Sequence, residues 1–109
     1  MKDTAMDLVK YALLVANMAS RKSAQNSALP AVANGIASAA TTIGNCVYCA
    51  EVAAVQHPML QEAQVACESM RFFLKLGIDT KAITDKEYAE LIKKLSAVKR
   101  LIQQRQLKA

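Results

Sequence analysis

Residues 84–104 read TDKEYAELIKKLSAVKRLIQQ, and their spacing is that of one amphipathic helix. Tyr88, Leu91, Ile92, Leu95, Val98 and Ile102 recur at intervals of three and four, so they share a single face. Ahead of them, Thr84 and Glu87 match a capping box, in which each side chain accepts a hydrogen bond from the other residue's backbone N–H. Asp85 adds negative charge where the helix dipole is positive. The spacing predicts a helix over 85–104. A stripe of that kind needs other elements to cover it, and the remaining sequence supplies them.

The same period runs through the rest of the chain. Leu60, Ala63, Cys67, Met70 and Leu74, widened by Ala66 and Phe73, predict a helix over 58–76. It opens after Gln56 and His57 and stops at Gly77, read as a left-handed C-cap, with 78–83 as a loop. Val32, Ile36, Ala39, Ala40, Ile43 and Val47 give one broad face to a helix over 29–55. It is expected to begin near Ser27 or Leu29, with Ser27 a suitable N-cap, and Pro30 fits the first turn, where its missing N–H would be unpaired anyway. Leu8, Tyr11, Ala12, Val15, Met18 and Ala19 predict a helix over 4–19, with 20–27 as a polar connection. Four helices and three short connections in 109 residues imply one domain, 1–109, with an all-α, antiparallel up-down four-helix bundle. Composition agrees: the chain is 53% apolar but 5% aromatic, with three Gly and two Pro, which disfavours a sandwich or barrel. Length alone excludes large two-lobed enzymes.

Charge is segregated. Residues 1–79 hold six basic and six acidic groups, whereas 80–109 hold eight basic groups against Asp85, Glu87 and Glu90. The net +5 therefore lies in the last helix and the loop before it, and no acid follows Glu90. Lys93, Arg100 and Lys108 fall on the side away from the apolar stripe, Lys94 and Arg105 on one flank, and Lys99 on the other. These six are the candidate contacts to an RNA or DNA backbone; the plainer alternatives are a solvated face that suits the helix dipole, or a docking face for an acidic protein. No aromatic is interleaved with the run in sequence, so base stacking is not indicated and weak sequence specificity is expected.

The second helix carries one charge, Glu51, between residues 28 and 55. A helix with a water-facing side normally decorates it with charge, so this one is expected to be covered on both sides, by its own bundle and by a second copy. Gly35, Ser38, Thr41 and Asn45 are the candidate oligomer contacts, small residues allowing close approach and the polar ones supplying hydrogen bonds. The uncharged stretch is alanine-rich and polar-studded, unlike a membrane span. Asp3 and Asp7 disfavour a secretory signal, and three cysteines form no disulfide framework, so a cytoplasmic protein is expected.

Catalytic patterns are weak. Cys46 and Cys49 stand at i, i+3, but inside a helical pattern rather than in a zinc knuckle or after a strand, and read as small buried hydrophobes. His57 is the only histidine and sits at a helix start, where capping or exposure is its usual role. Glu51, Glu62 and Glu68 form none of the Glu-x-x-His pairs of a di-metal bundle. A non-enzymatic protein without metal or cofactor is expected.

The run Ala39-Ala40-Thr41-Thr42-Ile43-Gly44-Asn45-Cys46, the later Cys67-Glu68-Ser69-Met70-Arg71-Phe72-Phe73-Leu74-Lys75-Leu76, and Ile83-Thr84-Asp85-Lys86-Glu87-Tyr88 carry a resemblance. Over 29–105 the chain resembles the four-helix-bundle proteins encoded in 23S rRNA intervening sequences and the similar accessory variability proteins of diversity-generating retroelements. The resemblance implies a left-handed four-helix bundle assembled as a homo-oligomeric ring, typically a pentamer. In the retroelement branch it implies a basic accessory that binds a reverse transcriptase and nucleic acid. Members of the family commonly place arginines just ahead of the alanine pair; here Gly35 to Ser38 are uncharged, which leaves the last helix to carry any such surface. The function expected is an oligomeric, non-catalytic accessory binding nucleic acid through that helix, the alternative being a protein-interaction adaptor.

Overall fold

The capping box forms as its residues require: the Thr84 N–H donates to Glu87 Oε1 at 2.8 Å, and the Glu87 N–H donates to Thr84 Oγ1 at 3.1 Å. It opens the last of four helices in the computed structural model, which describes residues 1–22, 29–52 and 57–108. These are α1 (Lys2–Lys22), α2 (Leu29–Val52), α3 (His57–Asp79) and α4 (Asp85–Lys108). Among the described residues there is no strand. The molecule measures 46 × 20 × 19 Å, a length set by helices of 21 to 24 residues lying side by side.

The apolar stripes meet in one core. Every residue expected on the inner faces of α2 and of α3 is buried except Phe73, which is half-buried. On α4, Leu91, Leu95, Val98 and Ile102 are buried, and Tyr88 and Ile92 pack at the edge. On α1 the stripe is Ala5, Leu8, Ala12, Val15, Ala16 and Ala19; Tyr11 is at its edge and Met18, expected inside, is exposed. α2 packs most extensively, on α1 and on α3, while α4 touches α1 and α3 more sparsely.

Two glycines allow that close packing of α2. A Cβ on Gly35 would overlap the Phe73 ring of α3, and one on Gly44 would stand 2.8 Å from Val9 Cγ2 of α1. Gly35 therefore serves a contact within the chain, where the Phe73 ring packs against it.

The ends differ from expectation. α1 starts at Lys2 and reaches Lys22, and α4 continues beyond residue 104 to Lys108. Ser27 and residues 53–55 lie outside the described residues. Gly77 is not the left-handed cap of α3: the helix runs through it to Asp79, and Lys81 takes the positive φ of 62°. The Ala82 N–H donates to the Gly77 carbonyl at 2.8 Å and the Lys81 N–H to the Ile78 carbonyl at 3.2 Å, the bonding of a Schellman motif with Lys81 in the position glycine usually fills. Gly77 is small for a different reason, because a Cβ there would crowd Val32 at 3.2 Å and Ile83 at 3.3 Å as the loop folds back.

Two substitutions check this packing. Lys81→Gly relieves the left-handed conformation and raises stability by about 0.5–1 kcal/mol in urea unfolding. Gly35→Ala pushes the Phe73 ring aside and lowers stability by about 1–3 kcal/mol; an unchanged midpoint would place the α2–α3 contact elsewhere.

Candidate nucleic-acid interface

Beyond its buried stripe, α4 is tied to its neighbours at its edges by its own basic residues. Lys94 reaches α1, with Asp7 at 2.6 Å, Glu90 of its own helix at 3.4 Å and the Tyr11 ring centroid at 5.6 Å. Hydrogen bonding to Asp7 raises the Lys94 pKa, so this ammonium stays charged. Burial, then Glu87 and Glu90, push the Tyr11 phenol up. Arg105 lies 4.0 Å from Glu51 of α2, which also accepts the Lys2 N–H at 3.1 Å. Lys99 pairs with Glu68 of α3, whose second oxygen is 3.8 Å from Arg71. The hydrogen bond from Lys99 holds Glu68 below the usual carboxylate range.

Lys94 and Lys99 reach acids on different neighbours of α4, and each of these flanks is partly neutralised. Lys94 and Arg105 face acids of α1 and α2; Lys99 faces α3. Lys93 and Arg100 are exposed and pair with no carboxylate among the described residues. The side chain of Lys108 lies outside the described residues, as does that of His57.

Between α3 and α4 runs a groove of about 380 Å³. Arg71, Lys99 and Arg100 line it together with Ser96 and Gln103, and Tyr88, Ile92 and Leu95 give it an apolar wall. Arg71 and Tyr88 were not candidates from sequence. Arg71 sits in the charge-balanced part of the chain, three residues from Glu68, and reads there as one half of a local ion pair. Tyr88 belongs to the core stripe, and only the sparse α3–α4 contact leaves it at a groove edge. Three cations lining one cleft, two of them (Arg71 and Lys99) paired with Glu68, can bind phosphate oxygens by charge-assisted hydrogen bonds.

The other predicted residues divide. Ser38, Thr41 and Asn45 lie on the outer line of α2, continued by Asn34 and Tyr48, and all five are exposed. Thr41 is internally satisfied, its Oγ1 lying 3.0 Å from the Ala37 carbonyl and 3.1 Å from that of Ser38. Beside this line lies a second groove, of about 330 Å³, along Gly35, Ser38, Thr42, Val65, Ser69 and Phe73. Val65 and Phe72 are exposed at 67% and 62% on the neighbouring α3.

The cysteines are free thiols, Cys46 and Cys67 buried and Cys49 half-buried. Burial pushes Cys67 up to about 11 and raises Cys46 as well. Among the described residues no three His, Cys, Asp or Glu gather as metal ligands, and no helix is long and apolar enough to cross a membrane. In the native protein at pH 8, Cys49 reacts first with a thiol reagent while Cys46 and Cys67 react on unfolding; three equally fast thiols would contradict the packing. A thiol with a raised folded pKa favours the folded state below its ordinary value of 9.0, and that advantage is lost as pH climbs towards about 11.

Compared with protein-family models, curated proteins and solved structures, the chain matches none.

Proposed function

We propose that this protein is a non-catalytic, cytoplasmic binding subunit that holds the phosphate backbone of RNA or DNA on its α3–α4 face. One observation carries the reading: Arg71, Lys99 and Arg100 share a groove, with exposed Lys93 on the same helix as the last two. Lys94 and Arg105 lie outside that groove, beside carboxylates of α1 and α2, and contribute long-range potential rather than direct contacts. Lys108 extends the same run in sequence. Phosphate contacts of this kind bind with little sequence preference and weaken with salt as counterions re-form their atmosphere.

The bundle is read as up-down and as one subunit of a homo-oligomeric ring, joined through the uncharged outer line of α2 at Ser38, Thr41 and Asn45. Repetition around a ring multiplies a modest charge into tight binding. The resemblance stated above adds a pentamer and a reverse transcriptase as partner. A second reading, an adaptor that binds only protein, is favoured by exposed Val65, which shares a groove with Ser38 of that line, and by exposed Phe72 on the same helix.

Anisotropy with labelled RNA or DNA separates the two readings. Binding at about 50 mM salt that falls tenfold or more by about 200 mM is expected, and Lys99→Glu with Arg100→Glu abolishes it. No binding at low salt by a folded chain contradicts it and leaves the adaptor. Sedimentation gives a mass several times 11.8 kDa, reduced by Asn45→Lys; a monomer would remove the ring.

A further inference from the structure

The α3–α4 groove is a cleft with a charged side and an apolar one, and the two select different parts of a ligand. Its α4 wall is one ridge, from Tyr88 through Ile92, Leu95, Ser96, Lys99 and Arg100 to Gln103. That ridge extends about 22 Å along the helix axis, so the cleft suits an extended chain rather than a compact ion. The cations sit towards one end: Lys99 and Arg100 on α4, with Arg71 bound to the same Glu68 that Lys99 holds. At the other end Tyr88 packs against the core and lines the groove, followed by Ile92. A duplex presents phosphates to such a surface but keeps its base faces stacked inside. A single strand presents both phosphates and base faces, and aromatic rings bind those faces whatever the base.

Resting on the reading of this face as a phosphate-backbone site, we infer that the groove takes single-stranded RNA or DNA in preference to duplex. Arg71, Lys99 and Arg100 hold successive phosphates, and a base stacks on Tyr88. Glu68 is the internal competitor for this site. It occupies Lys99 and Arg71 in the free protein, and a strand phosphate takes its place. Glu68 is exposed at 54%, so the exchange proceeds at the surface, without opening the core.

The test uses the full chain and a labelled mixed-sequence strand of roughly 12 nucleotides, with the matching duplex as the second ligand. The strand binds more tightly than the duplex. Tyr88→Leu weakens strand binding roughly tenfold and leaves duplex binding unchanged, while Tyr88→Phe, which keeps the ring, restores it. Arg71→Gln lowers the salt slope for the strand by about 0.7. Glu68→Gln moves affinity the other way, tightening strand binding about twofold to fivefold. Equal affinity for strand and duplex, or equal loss of both in Tyr88→Leu, overturns the single-strand inference while leaving the backbone reading intact. A Glu68→Gln variant that binds neither ligand more tightly overturns the exchange with Glu68 and, with it, this groove as the phosphate site. Failure of either ligand to bind at low salt overturns both.

Discussion

The structure depends on how closely α2 approaches its two neighbours. Gly35 meets the Phe73 ring and Gly44 meets Val9, so a side chain from each neighbour presses directly against the α2 backbone. Alanines at 33, 39, 40 and 50 complete that seam. α4 has no glycine at all and is set against α1 and α3 by larger residues, Leu91, Leu95, Val98 and Ile102. The consequence is an asymmetric bundle: three tightly joined helices, and a fourth whose edges are finished by ion pairs and bordered by a groove.

That asymmetry decides where the charge acts. Surface ion pairs stabilise weakly, each typically by less than about 1 kcal/mol, so Lys94 with Asp7 and Lys99 with Glu68 contribute position more than stability. They also reduce the positive charge left to act outside the molecule. The excess of +5 is thus a poor guide to ligand contacts when read residue by residue. What remains available is concentrated along the groove and on the outer line of α4, where Lys93 and Arg100 face solvent. The opposite assignment holds for α2, whose exposed line of Asn34, Ser38, Thr41, Asn45 and Tyr48 has no field to attract a polyanion and suits a protein surface.

The period of the apolar residues made all four helices legible in the sequence, and the Thr84–Glu87 pair made the start of α4 legible because both of its hydrogen bonds are local. The end of α3 was not. A glycine after an apolar stripe signals a cap, yet Gly77 answers to Val32 and Ile83, which approach it from 45 residues before and six after. The same limit governs the site. The angular positions of Lys94, Arg105 and Lys99 were readable from the period, but their partners Asp7, Glu51 and Glu68 are 31 to 87 residues away or on unpredictable neighbours. Arg71 and Tyr88 were hidden because each has an adequate local explanation. Gly35 shows the converse: smallness pointed to a close approach, and only the packing shows that the approaching group is Phe73 of the same chain.

Ligand binding in the α3–α4 groove is tested by a backbone-amide NMR map of the isotope-labelled chain during titration with a short single strand. Shifts are expected only in the groove, at Arg71 on α3 and at Tyr88, Ser96, Lys99, Arg100 and Gln103 on α4, with Asn34, Thr41 and Asn45 unmoved. Shifts centred on the outer line of α2, with the α3–α4 groove silent, would contradict it.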